Sequence, residues 1–200
     1  MKRPCWPTEG RVRRLNQAVL IVSTVLGSWL GMQAVHETGH VFGAKVTGGR
    51  VDAICLHPLT ISYTELSDNP SPLFVVWAGP IIGVTAPFLA WVIAAMAHWS
   101  LAFLLRFFAG FCLIANGAYI TAGSLAGIGD AAVMLRNGSP NWLMWVFGIL
   151  TIPAGLALWH NQGRMFGLGP RPEPVRAWHV GVAVATSVSL IMIGLIFSNC

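Results

Sequence analysis

His36, Glu37 and His40 stand in an apolar stretch of the chain with the spacing H-E-x-x-H. On a helix, His36 and His40 lie on one face, one turn apart. Two imidazoles placed in this way can bind one zinc ion, and the carboxylate of Glu37 can then accept a proton from a water on the metal. The pattern therefore predicts the site of a zinc hydrolase. The competing interpretation is two helix histidines with ordinary hydrogen bonds, but it leaves Glu37 unpaired in lipid, which is costly.

A catalytic zinc site needs a third protein ligand, and its fourth position stays free for water. Outside the motif, Asp130 is the only acidic residue in an otherwise apolar stretch, between Gly129 and Ala131. A carboxylate in such a place is a functional candidate, so we predict Asp130 as the third ligand. Its alternative role is that of a helix N-cap, for which Asp is well suited. His57 is the second candidate for the third ligand.

The composition indicates a multi-pass membrane protein. Hydrophobic residues make up 55% of the 200 residues, charged residues only 10%, and the mean hydropathy is +0.67. These values exclude an ordinary soluble domain. The net charge of +5 does not indicate a nucleic-acid partner, because the basic residues lie at the ends of apolar segments. The cysteines form no CxxC pair, and we expect free thiols at all four positions: Cys5, Cys55, Cys112 and Cys200.

Apolar runs and glycines predict an all-α polytopic membrane fold. As helices, the runs can cross a bilayer, since the first alone would extend about 45 Å. Glycines between residues 117 and 129 make a continuous helix doubtful there, so a broken or re-entrant segment and a short helix over residues 130–136 should follow the third span. We expect about five transmembrane helices, over residues 15–44, 72–97, 101–120, 141–159 and 177–197.

Residues 51–64 differ from these helical runs. Leu59, Ile61 and Tyr63 alternate with polar residues, which is the period-two pattern of a strand, and Pro58 divides the run into two short strands or a hairpin. Unpaired backbone in lipid must be shielded or line a cavity, so we place this β element near the active site. Two interpretations stay open. The segment is a plain connection at the interface, or its edge pairs with an extended substrate segment.

The distribution of basic residues predicts the orientation. We divide the chain into a basic tail (1–14), a membrane core (15–137) and two additional helices (138–200) joined by a Pro/Arg-rich linker (161–176). The tail and the linker together contain eight basic residues, whereas the opposite side has only Lys45, Arg50 and Arg136. This difference favours a cytoplasmic N-terminus. It also places His36 and His40 nearer the non-cytoplasmic face.

At this point the chain resembles the site-2 protease family of intramembrane zinc metalloproteases. The H-E-x-x-H motif lies in the first apolar helix, and Asn116 followed by Asp130 matches the family's later motif, although Tyr119 and Ala131 stand where that motif has Pro and Gly. The resemblance covers roughly residues 20–137. The other matching segments are Gly48-Gly49-Arg50-Val51 and Ala78-Gly79-Pro80.

The resemblance implies a zinc metalloprotease that cleaves membrane proteins within or near the bilayer. It implies one Zn²⁺ ion held by His36, His40 and Asp130. Glu37 would be the general base, and Asn116 would be a second hydrogen-bond donor to the oxyanion. The expected partners are a transmembrane protein substrate and the lipid bilayer, without nucleic acid. The expected location is a bacterial cytoplasmic membrane.

A different class of function is a non-proteolytic membrane protein that binds zinc, either a pseudoprotease that binds helices or a metal transporter. Glu37 argues against the pseudoprotease, because an inactive relative has no need for the general base. A transporter usually spreads its ligands along a path and often contains an internal repeat, whereas the polar residues here converge on one place. One tightly held zinc without transport would favour the enzyme.

Overall fold

The computed structural model describes residues 7–198 of the chain, and their side chains from residue 10 onward. Six α-helices, a two-stranded sheet and one 3-10 turn make up this part. In chain order they are α1 (Pro7–Val46), β1 (Arg50–Cys55), β2 (Tyr63–Asp68), α2 (Pro72–Met96), α3 (Ala102–Ala126), α4 (Gly129–Arg136), α5 (Asn141–Trp159), the 3-10 turn (Gln162–Phe166) and α6 (Ala177–Ile196).

Five of the described helices, α1, α2, α3, α5 and α6, are long and apolar enough to cross a membrane. The predicted helical multi-pass fold with a small β element is therefore confirmed. The tail expected over residues 1–14 differs from the structure in one respect. Residues 7–14 form the first turns of α1, in continuity with the first span, and residues 1–6 lie outside the described part.

The predicted break after the third span is confirmed, but it lies later than the glycines suggested. α3 continues to Ala126, and the chain turns at Gly127 and Gly129, which have φ angles of 66° and 59°. Gly117 stays inside the helix because α5 packs closely against it: a Cβ at this position would collide with the Thr151 side chain. Close packing thus overrides the low helix propensity of glycine.

The short helix α4 packs against the bundle through a cluster of buried side chains. Its members come from four helices and are Val76, Ile120, Ala131, Met134 and Met144. An eight-residue helix is too short to be stable alone, so these contacts with α2, α3 and α5 hold α4 in place. They also determine where Asp130, at the start of α4, is presented.

The two strands form an antiparallel hairpin that lies against the bundle. Cys55 pairs with Tyr63 at one end of the register and Arg50 pairs with Asp68 at the other. Just beyond β1, the N–H of Leu56 donates to the carbonyl of Phe197, 3.1 Å away, at the end of α6. The hairpin tip is thereby fixed to the last helix.

The cysteines only partly follow the expectation of free thiols. Cys112 is free and buried in α3, as predicted. Cys55 is disulfide-bonded, so the prediction is wrong for this residue. Sequence spacing carried no signal for this bond, because cysteines that are far apart in the chain are brought together only by the fold. Cys5 and Cys200 lie outside the described residues.

Candidate metal centre

α1 presents His36, Glu37 and His40 toward the interior of the bundle. All three side chains are buried, and the two imidazole rings lie 4.8 Å apart between centroids in an edge-to-face arrangement. This is the geometry expected for residues four apart on a helix. α2 packs tightly against the same stretch, since a Cβ at Gly39 would lie 2.7 Å from the Cα of Gly79.

Hydrogen bonds to the outer ring nitrogens orient both imidazoles. Nδ1–H of His36 donates to Oδ1 of Asn116 at 2.6 Å, and Nδ1–H of His40 donates to the carbonyl of Val75 at 2.9 Å. The Asn116 amide is oriented by its own Nδ2, which donates to the carbonyl of Cys112 at 2.9 Å. Because Nδ1 makes these hydrogen bonds in both rings, each Nε2 is left to donate to Asp130 when protonated and to act as a metal ligand when deprotonated.

Asp130 meets both Nε2 atoms although it lies 94 residues after His36 in the chain. Its Oδ2 is 2.7 Å from Nε2 of His36 and 3.3 Å from Nε2 of His40. The N-cap of α4 is Ile128, so the alternative role of Asp130 as N-cap is excluded. The N–H of Asp130 instead donates to the hydroxyl of Tyr119 at 3.2 Å, which helps to hold this turn in place.

The carboxyl of Asp130 is held in its charged form. Burial by itself would raise its pKa, but the hydrogen bonds and charges of His36 and His40 outweigh burial and bring the pKa below its usual range. Asp130 lies in α4, which is not one of the membrane-spanning helices. The ionised form is the one that binds a metal ion.

The donor set fits a tetrahedral zinc ion. Ligand atoms about 2.0–2.1 Å from a tetrahedral zinc are about 3.3 Å from one another. The pair His40 and Asp130 already has this spacing, and the pair His36 and Asp130 would have to separate by about half an ångström. The ligand atoms of His36, Glu37 and His40 also lie within 4.8 Å of one another. The oxygen of Asp130 lies within 3.3 Å of Nε2 of both imidazoles, which makes Asp130 a candidate for the third ligand.

Glu37 has a separate hydrogen-bond partner in the hairpin. Thr64, in β2, donates its Oγ1–H to Oε2 of Glu37 at 2.7 Å. The carboxylate is thus held beside the two histidines by a residue that was not singled out in the sequence. The only signal for Thr64 was its place in the alternating strand pattern.

A cavity of about 750 Å³ opens in front of these groups. It is bordered by α1, β2, α2, α3 and the start of α4, and the lining is mostly apolar. Residues around the metal-ligand candidates include Trp29, Gln33, Ile61, Tyr63 and Val133. A largely apolar cavity with a few converging polar groups is the usual form of a binding site.

All five residues predicted for the site are brought together: His36, Glu37, His40, Asn116 and Asp130. His57, the other candidate for the third ligand, is at the hairpin tip, where its Nδ1 accepts from the N–H of Leu59, and it does not line the cavity.

Asn116 contacts the Nδ1 side of the His36 ring, whereas Asp130 contacts the Nε2 side. Its carboxamide contacts are made with the His36 ring and with a main-chain carbonyl. This arrangement favours a role in orienting His36, and its role as a donor to an oxyanion stays a prediction.

Comparison with known proteins adds no relative. No protein-family model, no curated protein and no solved structure matches this chain.

Proposed function

We propose that this multi-pass membrane protein is an intramembrane zinc metalloprotease similar to the site-2 protease family, acting on peptide bonds of membrane proteins. The observation that carries the proposal is the meeting of two imidazole Nε2 atoms with the Asp130 carboxylate, next to Glu37, inside an apolar bundle. Burying two imidazoles and a carboxylate in an apolar bundle costs free energy, and a bound metal ion would offset that cost. A structural zinc site usually has four protein ligands, whereas three ligands beside a cavity suit catalysis.

His36, His40 and Asp130 would hold the zinc ion. When bound, zinc would supply a Lewis acid and an attacking water that is acidic enough to ionise near neutral pH. Glu37 would take the proton from that water and later pass it to the leaving amine. Thr64 keeps one Glu37 oxygen in place by its hydrogen bond, which leaves the other oxygen free to receive the proton.

The neighbouring residues would act on the ligands. Asn116 would keep Nδ1 of His36 protonated, which leaves Nε2 for the metal. Tyr119 would fix the start of α4 through the N–H of Asp130, and its ring packs edge-on against His36 at 5.9 Å. These contacts make the ligand set rigid before a metal is bound.

β2 would hold the substrate in an extended form. A helical segment hides its carbonyls in hydrogen bonds, so a transmembrane substrate must unwind locally before attack. Tyr63, Thr64 and Leu66 of β2 border the cavity, directly beside Glu37. This position favours strand pairing with the substrate over a role as plain connection.

The site would open toward the non-cytoplasmic side of a bacterial cytoplasmic membrane. The count of basic residues favours a cytoplasmic N-terminus, and five spans place the end of α6 on the opposite side. The disulfide bond of Cys55 supports this orientation, because disulfides persist in oxidising compartments and the hairpin tip lies at the end of α6.

The test is the variant Glu37→Gln, with Glu65→Gln as the matched control on the exposed side of β2. Glu37→Gln should retain zinc, measured by metal analysis of the purified protein, and should abolish cleavage, measured as membrane proteins that accumulate uncut in cells. Glu65→Gln should cleave like the wild type. Cleavage that persists in Glu37→Gln would refute the proteolytic mechanism. A wild-type chain that holds zinc but cleaves nothing would indicate the non-proteolytic alternative.

A further inference from the structure

Gln33 lies on the same face of α1 as the metal-ligand candidates, one turn before them. The residue is only 7% exposed, and it borders the cavity. Residues three and four apart on a helix share a face, so Gln33 is next to both His36 and Glu37. None of the roles described above uses it.

Ser62 determines how the Gln33 carboxamide is turned. The main-chain N–H of Ser62 donates to Oε1 of Gln33 at 2.8 Å, and the Ser62 hydroxyl donates to the same oxygen at 3.0 Å. A main-chain N–H can only donate, so the oxygen must face Ser62. The Nε2–H₂ group therefore points the other way. It is buried and has no hydrogen-bond partner among the described residues.

A buried amide donor without a partner is costly, and such a group calls for an explanation. A metal ion does not explain it, because an amide N–H₂ has no free electron pair to offer and repels a cation. Gln33 borders the cavity, so the ligand that suits the amide is a neutral oxygen acceptor that enters from there. In a cavity built beside β2, the main-chain carbonyl of an extended peptide is such an acceptor.

We propose that Gln33 is a substrate-binding residue whose Nε2–H₂ donates to a main-chain carbonyl of the substrate. The proposal rests on the proposed protease function and names a contact within it. Three residues separate Gln33 from His36 along α1, a rise of about 4.5 Å, and an extended peptide advances about 3.3 Å per residue. The carbonyl thus belongs to a residue one or two positions from the scissile bond.

The experiment measures binding rather than cleavage. Two probes are titrated calorimetrically into the zinc-loaded protein in detergent: acetohydroxamate, which reaches only the metal centre, and a dipeptidyl hydroxamate, which adds main-chain carbonyls. The variant Gln33→Met removes the amide and keeps a side chain of similar length. Gln17→Met is the matched control, because it makes the same change in α1, about 24 Å along the helix from Gln33 and outside the cavity lining. Gln33→Glu, which can still accept from Ser62 but donates nothing, is the second variant.

Gln33→Met and Gln33→Glu should bind the dipeptidyl hydroxamate about tenfold more weakly, as expected for one lost hydrogen bond to a buried carbonyl. Acetohydroxamate binding and zinc content should stay as in the wild type, and Gln17→Met should bind both probes as the wild type does. If Gln33→Met loses its zinc, the affinity of Gln33→Glu for the dipeptidyl hydroxamate decides whether Gln33 binds the substrate. Unchanged affinity for the dipeptidyl hydroxamate in the deciding variant, or an equal loss in Gln17→Met, would overturn the role of Gln33. Failure of the wild type to bind either probe would overturn the protease function itself.

Discussion

Removing the Asn116 side chain should weaken zinc binding without touching a ligand atom. In Asn116→Ala, Nδ1–H of the buried His36 ring loses its acceptor at 2.6 Å. The imidazole can then move its proton to Nε2, the atom that has to bind the metal. Loss of such an orienting partner typically costs 10–100-fold in metal affinity, or about 1.4–2.7 kcal/mol. Complete burial of Asn116 favours the upper part of this range, because water cannot readily replace it.

The assay is competition for zinc against a chelator of known affinity, on purified protein in detergent. Asn137→Ala is the matched control, because Asn137 also donates Nδ2 to the carbonyl four residues before it but is exposed and does not line the cavity. Its zinc affinity should equal that of the wild type. Asn116→Asp, which keeps an oxygen acceptor for His36, should recover most of the affinity.

Two results would refute this reasoning. If Asn116→Ala binds zinc as tightly as the wild type, Asn116 does not determine the ring state of His36. If zinc binding is unchanged but turnover falls, Asn116 acts on the reacting carbonyl, which is the oxyanion role expected from the resemblance.

Two further predictions concern the hairpin and the orientation. Thr64→Val keeps the side-chain shape but removes the hydrogen bond to Glu37. On a substrate whose cleavage depends on Glu37, kcat should therefore fall about tenfold while the zinc content stays the same. An unchanged kcat would show that Glu37 needs no such partner. A cysteine introduced at the exposed Gly10 should react with a membrane-impermeant maleimide in inverted vesicles but not in intact cells. The parent chain is the control for labelling of the other cysteines. Labelling of the introduced cysteine in intact cells would reverse the proposed orientation.

The part of the site that depends on local geometry could be predicted from the sequence. His36 and His40 share a face on any helix, and the apolar flanks of α1 identified that helix. Asp130 could be predicted by elimination, since a charged residue in an apolar stretch is rare and has few bland explanations. Both inferences use short-range patterns, which a single sequence contains.

The contacts between distant segments could not be predicted in the same way. Thr64 reaches Glu37 only because the hairpin lies against α1. Gly117 was expected to weaken α3, but its contact with α5 is a property of the packed bundle. The sequence did contain a signal for Gln33, which is a polar residue in an apolar run one turn before the motif. That its Nε2–H₂ has no partner follows only from the folded contact between Ser62 and its Oε1.

The dependence of Asp130 on α4 has a consequence for the order in which the chain is made. During synthesis, α1 emerges with two of the three ligands, but the third follows 94 residues after the first. α4 docks only when α2, α3 and α5 are present, because its buried Met134 packs in a cluster with side chains from all three. A nascent or truncated chain therefore has two histidines and no complete ligand set. The proposed hydrolytic activity would thus appear only after α5 has been made.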